Sequence, residues 1–364
     1  ETDPSAISFF EERLVFAGTT TQPQTIFFSV SGDFEDFKDG ILASSALSYT
    51  IGSNQVNVIR YLSAGRALLV GTTGGEFSVS STDDAPISPT NTVIRRQSNY
   101  GSADIQPVSV GNVTLFVQRA KRKLRELVFD FNTDSYSAPD MTILAEHITE
   151  SGIRTITYQQ EPDNVVWAVL NNGKLCGMTY RREEEVVAWH NHDIAGSFTG
   201  VHEINSPTSQ TYDYGIVESV AVLPSELDED DLFIIVKRTI GGTTKRFIER
   251  FNFFDFGANI LDAYFVDSGL TYFGSPTTSL SGLLHLEGQT VDIVADGSAH
   301  PSKTVSNGSI TLDRSSSNVH VGLKFDSILK TMRVDAGGTE GTSQAKNKRI
   351  HAVSYTHLRA HETR

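Results

Sequence analysis

Residues 163–192 hold the feature that most constrains the fold of this chain. Two runs rich in β-branched and aromatic residues, 165–170 and 174–180, flank the pair Asn172 and Gly173. An Asn-Gly turn between such runs is the strongest local signal for a β-hairpin. A third run of the same kind, 186–190, follows a charged segment. The stretch therefore predicts an antiparallel meander.

The same pattern recurs along the chain. Glycine-containing or basic turns join paired runs in residues 66–80, 113–130 and 232–251. In the last of these, charged residues are expected to fill the outward positions of the second strand. Repeated hairpins, 29 Gly in 364 residues and the absence of long amphipathic heptads predict an all-β protein with many turns.

One helix is expected within this β-rich sequence, at residues 140–152. Asp140 is a suitable N-cap, the apolar positions Ile143, Leu144 and Ile148 fall on one face of a helix, and Gly152 is a suitable end. Helix is therefore predicted to be a minor component.

Length and a change in local composition predict two domains, because the chain exceeds the roughly 100–200 residues of a typical domain. Residues 1–261 fit an irregular β-propeller of about five or six blades, at about 40–45 residues per blade. Residues 262–330 contain short runs punctuated by Gly and Asp and predict a small β-barrel module. Its expected strands are 266–272, 281–288, 290–297, 308–313 and 319–325.

Charge and composition exclude several classes of protein. The net charge of −14 disfavours tight nucleic-acid binding, and the small basic clusters at residues 95–96 and 121–123 lie at predicted turns. A single cysteine, Cys176, excludes an internal disulfide framework. No run of about 18 apolar residues is present, so no membrane span is expected.

Short strings distributed along the chain resemble the tail nozzle proteins, also called tail tubular protein B, of short-tailed bacteriophages. The resemblance covers about residues 8–350, and its specificity lies in the order of the strings. They are residues 13–18, 22–26, 31–37, 69–77, 98–102, 115–119, 144–147, 158–162 and 188–192. The module at 262–330 is also similar in fold to the first catalytic-cysteine half-domain of ubiquitin-activating enzymes, a likeness that carries no ubiquitin chemistry.

The resemblance implies a structural function rather than an enzymatic one. It implies a virion protein that assembles as a ring, a hexamer in this family, beneath the tail adaptor protein and beside tail fibres. DNA would pass through its channel without specific binding. The expected location is the phage tail, with the host cytoplasm as the place of assembly.

The C-terminal residues divide into two expected segments. Residues 331–352 are polar and, by the resemblance, return toward the large domain. Residues 353–364 resemble the translation of a transposase-based sequencing adaptor and are expected to be non-native. We therefore expect the chain to be a fragment of a longer protein.

No metal, cofactor or catalytic residue is assigned. His190 and His192 alternate on one strand and are both able to face a cation, with His147 and His202 elsewhere in the chain. A structural zinc site needs about four ligands, and no cysteine lies beside this pair. Ordinary hydrogen-bonding histidines are expected.

Two acidic segments are candidate sites. Asp33, Glu35, Asp36 and Asp39 contain enough carboxylates for a glycosidase pair, which requires a separation of about 5–9.5 Å. Solvated acids are expected instead, with Phe34 and Phe37 anchoring the loop. The acidic run at 226–231 predicts a solvated loop, or the wall of a DNA channel if it faces one.

The remaining candidates predict structural roles. Residues 71–75 lack the Gly-Lys-Ser/Thr ending of a phosphate-binding loop and predict a turn. Cys176 has no adjacent base and is expected to be a small buried residue. Trp167 and Trp189 are expected to fill the core between sheets, the alternative being a platform that stacks on sugars.

Two other classes of function stay open. All-β tail proteins that meet bacterial surface polysaccharide include glycan-binding and polysaccharide-degrading proteins. An exposed Trp or Tyr platform beside two convergent carboxylates would favour that class. A cellular propeller scaffold is the third class.

Overall fold

The structure is a computed structural model that describes residues 3–52, 56–82, 85–132, 134–202, 208–225, 229–252 and 258–328. Strands dominate these residues, which contain no α-helix and two one-turn 3₁₀ helices, Ile260–Asp262 and Leu284–Leu286. The prediction of an all-β protein is confirmed. The predicted segments 331–352 and 353–364, and residues 226–228 of the acidic run, lie outside the described residues.

Five antiparallel sheets follow one another, and within each the strand order equals the chain order. The first sheet contains β1 (Ala6–Phe10), β2 (Arg13–Ala17), β3 (Thr25–Phe28) and β4 (Leu47–Thr50). The second contains β5 (Ile59–Ala64), β6 (Leu68–Thr72), β7 (Gly75–Ser81) and β8 (Thr92–Ser98). The third contains β9 (Val108–Val110), β10 (Val113–Val117), β11 (Leu124–Asp130) and β12 (Ser135–Ser137).

The fourth sheet is the meander expected around residues 163–192. It contains β13 (Ile153–Gln159), β14 (Val165–Leu170), β15 (Leu175–Arg181) and β16 (Val186–His192). A two-stranded sheet follows, with β17 (Phe198–Gly200) and β18 (Gln210–Tyr212). The fifth sheet contains β19 (Ile216–Leu223), β20 (Asp231–Ile240) and β21 (Thr243–Arg250).

All four predicted hairpins are confirmed. They pair β6 with β7, β10 with β11, β14 with β15, and β20 with β21. In the last hairpin Gly241 and Gly242 have φ of +59° and +76°. Positive φ at both central residues is the requirement of a type I′ turn, which only glycine and a few polar residues meet at low cost. The two glycines of the turn therefore favour the observed register of β20 and β21.

Each sheet packs on the sheet before and the sheet after it. One apolar core joins the first and second sheets, a small one joins the second and third, a third core joins the third and fourth, and a fourth joins the fourth and fifth. The leading strands of neighbouring sheets adjoin, as β1 does with β5, β9 with β13 and β13 with β19. Because the fourth sheet is covered on both faces, every residue of β14 is buried.

The C-terminal sheet differs in detail from the predicted module. Its order is β22 (Asp267–Ser281), β25 (Ser309–Leu323), β23 (Thr290–Ala295) and β24 (Ser298–Thr304). The predicted strand at 281–288 is wrong, since the 3₁₀ helix occupies that place. The predicted strands 308–313 and 319–325 are one continuous strand, and β24 was not expected.

The predicted helix at residues 140–152 is wrong. This segment makes successive tight turns, in which the amide N–H groups of Ala145 and Ile148 donate to the carbonyls three residues earlier. Asp140 Oδ1 accepts from both the amide and the hydroxyl of Thr142, and Thr149 Oγ1 donates to the Arg122 carbonyl. These side-chain bonds compete with helical ones, and a helix this short is marginal in isolation.

The expected outward pattern of β21 is also wrong at two positions. Ile248 is 76% exposed, whereas Glu249 is 3% exposed and forms an ion pair with Arg238. Arg238 is completely buried. The buried guanidinium of Arg238 therefore keeps the Glu249 carboxylate inside the protein. The alternation of residues along β21 does not predict this.

Candidate functional site

A polar groove opens at one end of the junction between the third and fourth sheets. It has a volume of about 580 Å³ and lies between the β9–β10 turn, at Gly111 and Asn112, and the β15–β16 turn at residues 182–185. Both turns require left-handed backbone, at Gly111 (φ +57°) and Glu185 (φ +55°). The two hairpin turns thus form opposite walls.

The floor of the groove contains Tyr180, which lies against a buried, hydrogen-bonded carboxylate, Glu126. The Tyr180 hydroxyl donates to Glu126 Oε2 at 2.7 Å, and Arg182 Nε donates to Glu126 Oε1 at 2.9 Å. Tyr180 and Glu126 are buried, while Arg182 is exposed. Burial, and secondarily the Glu126 carboxylate, raises the pKa of Tyr180 well above its ordinary value. Both carboxylate oxygens of Glu126 have partners, so this group positions its neighbours.

Strand alternation explains how Glu126 reaches this place. Arg125 and Glu126 are adjacent in β11, so their side chains leave opposite faces of the third sheet. Arg125 stacks over the Tyr100 ring at 3.5 Å, beside the second sheet. Glu126 reaches Tyr180 of the fourth sheet. Arg125 and Glu126 thus make contacts at two different junctions between neighbouring sheets.

A tyrosine and an asparagine form the next part of the lining. The Tyr158 hydroxyl donates to Asn164 Oδ1 at 2.6 Å, and the Asn164 carbonyl accepts from the Tyr180 amide. The Tyr158 ring is half-buried and packs against the core of the third and fourth sheets. Burial, together with the nearby Glu161 and Asp230, raises the pKa of Tyr158. Both tyrosines are therefore neutral donors at physiological pH.

The rim of the groove carries charge. Arg181 forms an ion pair with Asp163 at 3.3 Å, and the exposed carboxylates Glu183, Glu184 and Glu185 line the outer wall. Tyr158, Asn164 and Tyr180 place uncharged polar groups between these acids, an arrangement that suits the binding of a neutral polar ligand.

The histidine pair expected from the sequence does come together. His190 Nδ1 lies 2.6 Å from His192 Nε2, and both rings contact Trp167. Burial lowers the pKa of His190 to about 4. His202 lies elsewhere, hydrogen-bonded to the Asn171 carbonyl, and His147 is exposed. Within the described residues, no group of three or more His, Cys, Asp or Glu side chains is arranged to hold a metal ion.

Cys176 and the tryptophans occupy the core positions predicted for them. Cys176 is fully buried, and burial raises the pKa of its thiol to about 12. Trp167 is fully buried between the fourth and fifth sheets and donates through Nε1 to Gln159. Trp189 packs against the core of the third and fourth sheets and donates to the Met141 carbonyl. Neither tryptophan is an open platform.

The acidic segments have different environments. Asp33 and Asp36 accept from backbone amides two residues later in an exposed loop. Phe34 and Phe37 contact Phe9 and Phe16, so the predicted anchoring of that loop is confirmed. In the second segment, Asp230 Oδ2 accepts from the amides of residues 160 and 161. That contact ties this end of the acidic loop to the fourth sheet.

The groove itself was missed by the sequence analysis. Its lining residues come from four separate places in the chain, and none forms a motif. One signal is present, because Arg125 and Glu126 are charged residues at the start of a strand that continues with Leu127, Val128 and Phe129, and a buried carboxylate needs partners. The predicted turn at residues 71–75 is confirmed, since β6 and β7 pair around it.

Comparison with known proteins gave no match. No family model matches the chain, and no curated protein does. The part of the chain that the structure describes contains no helix with the length and hydropathy needed to cross a membrane.

Proposed function

We propose that the protein is a structural component of a phage tail that assembles as a ring and lines the channel through which DNA leaves the capsid. The observation that carries the proposal is the ordered series of strings similar to tail nozzle proteins, which extends over about residues 8–350. In this proposal the ring is a hexamer that contacts the tail adaptor and fibres, and the protein is not an enzyme.

The packing of consecutive sheets supports a wall-forming role. Five meanders stack in chain order with their leading strands adjoining, as blades of a β-propeller do. We propose that these meanders are the blades of an irregular propeller and that the C-terminal sheet curls into a small barrel. Short, radially packed sheets leave few exposed strand edges, which suits a rigid ring subunit.

The charge of the chain supports passage of DNA without retention. The net charge is −14, and affinity for DNA depends mainly on cationic contacts that release counterions from phosphates. A channel whose wall is acidic repels the duplex and lets it move.

The test is the assembly state of the purified 364-residue chain. Light scattering after size exclusion, with negative-stain electron microscopy, is expected to show rings with a central opening. A duplex DNA retention assay at about 150 mM salt is expected to show no binding. A monomer at every concentration would contradict the ring, and a lumen lined by Lys and Arg would contradict the argument from charge.

A further inference from the structure

We infer that the groove between the β9–β10 and β15–β16 turns binds a neutral saccharide. This inference is independent of the ring proposed above, because the groove is formed within one chain by the third and fourth sheets. A structural tail protein with this groove would also contact glycan.

The size of the groove fits a short oligosaccharide. Its volume of about 580 Å³ lies within the range of about 300–1,000 Å³ that is usual for small-ligand sites. The walls are two hairpin turns, and Tyr158, Asn164 and Tyr180 lie between them.

Arg182 supplies the donors that sugar hydroxyls require. A guanidinium has five N–H donors, and the contact of Arg182 with Glu126 is made through Nε at 2.9 Å. Among the described residues, none accepts a hydrogen bond from its two terminal nitrogens. Because Glu126 already holds the Nε of Arg182, less rotamer entropy is lost when a ligand binds.

Tyr158 supplies the apolar surface that sugar C–H groups require. Its ring is half-buried against the core, and its hydroxyl is held by Asn164 at 2.6 Å. The ring is therefore fixed with one part accessible from the groove. A rigid aromatic ring beside amide and guanidinium donors suits an amphipathic ligand such as a hexose.

The charge at the rim selects against anionic ligands. Glu183, Glu184 and Glu185 are exposed on the wall, whereas the two lining cations, Arg181 and Arg182, are already paired with Asp163 and Glu126. Like charge raises the free energy of binding for phosphates, nucleic acids and acidic polysaccharides. A ligand rich in hydroxyls and without charge meets no such penalty.

The test uses saturation-transfer NMR and calorimetry on the full chain with isomaltohexaose, maltohexaose and cellohexaose. An oligogalacturonate of the same length is the anionic probe. At least one neutral probe is expected to bind at millimolar concentration or tighter, and the anionic probe is expected to bind more weakly. Arg182→Gln and Tyr158→Ala are each expected to weaken binding by roughly tenfold or more.

Two further variants separate loss of binding from loss of folding. Arg122→Gln changes an exposed arginine outside the groove, which faces Glu150 at 3.9 Å, and its binding is expected to equal that of wild type. Asn112→Trp fills the groove from an exposed turn without touching the floor, and it is expected to abolish binding while the urea midpoint is unchanged.

The inference is overturned by any of three results. The first is that no neutral probe binds at about 10 mM. The second is that Asn112→Trp and Arg182→Gln, both folded, bind as wild type does. The third is preferential binding of the anionic probe. None of these results bears on whether the chain forms rings.

Discussion

Glu76 and Glu249 are two of the buried carboxylates of this protein, and each is held by a different kind of partner. Glu76, in β7, accepts from the hydroxyls of Ser98 and Ser102, the latter at 2.7 Å. Glu249, in β21, accepts hydrogen bonds from both terminal nitrogens of Arg238, which is itself completely buried. The first site contains neutral donors, and the second contains a matched pair of charges.

The difference shows how a buried charge is retained or suppressed. Burial raises the pKa of Glu76, and the hydrogen bonds from the two serines only partly oppose this effect. At the second site the guanidinium supplies a full positive charge. Arg238 Nε also donates to the Ala195 carbonyl at 2.7 Å, and the Ala195 amide donates to Asp267 of β22 at 2.7 Å. The ion pair is therefore part of the link between the fifth sheet and the C-terminal sheet.

The largest expected effect comes from removing the buried cation. Arg238→Ala leaves Glu249 buried without its partner, and we expect a loss of about 3–5 kcal/mol in the free energy of unfolding. Urea denaturation followed by tryptophan fluorescence measures it. The matched control is Arg246→Ala, because Arg246 is 60% exposed and pairs with Glu218, and its loss should be below about 1 kcal/mol. Equal effects of the two variants would show that Glu249 is solvated.

A smaller effect is expected where the partner is a hydroxyl. Ser102→Ala removes one donor to the buried Glu76, and we expect a loss of about 1–2 kcal/mol. Ser302→Ala is the control, since Ser302 makes the same kind of bond, to Asp292 at 2.6 Å, on the exposed surface. A loss above about 3 kcal/mol in Ser102→Ala would mean that Glu76 is ionised and depends on Ser102 as strongly as Glu249 depends on its cation.

The smallest effect is a dependence on pH. A carboxylic acid whose pKa is raised in the folded state stabilises the fold below its unfolded pKa, near 4.5 for Glu76, and that stability is lost as pH rises. Glu76→Gln should therefore gain stability relative to wild type as pH rises above about 4.5, by at most about 1.4 kcal/mol per pH unit. Urea midpoints measured from pH 4 to pH 7 test this.

For Glu218→Gln we expect the opposite dependence of stability on pH. Burial favours the neutral form of Glu218, but Arg246 and Lys237 outweigh burial and lower its pKa. Wild type should therefore lose stability relative to Glu218→Gln as pH falls below about 4.5 through the lowered pKa, so the urea midpoints for this variant are measured below pH 4.5 as well. Parallel curves for the two variants would contradict the contrast between hydroxyl and guanidinium partners.

Local chemistry allowed much of the strand pattern to be predicted. The turns at Gly173 and at Gly241 and Gly242 carry positive φ, a preference of the residue itself that needs no distant contact. Trp167 lies in a run that is apolar throughout, Cys176 lies between Leu175 and Gly177 in a mainly apolar run, and both are buried. Alternation and turn residues are properties of neighbouring positions, so they can be read along the chain.

The errors occurred where a distant residue decided the outcome. The helix expected at 140–152 gave way to turns held by Asp140, Thr142 and Thr149, the last through a bond to the Arg122 carbonyl. Continuity of β25 depends on pairing with both β22 and β23. The groove joins Tyr158 and Tyr180 from separate strands, and Glu126 of a third strand holds the Tyr180 hydroxyl.

The sequence by itself determined that the chain forms antiparallel meanders and where their hairpins turn, because those features depend on φ preferences and on alternation within a few residues. Only the tertiary structure decided which charged side chains are buried, as in the pairing of Glu249 with Arg238, and where two hairpin turns leave a groove. Those outcomes depend on which sheet faces which, and free energies of burial are set by partners far apart in the chain.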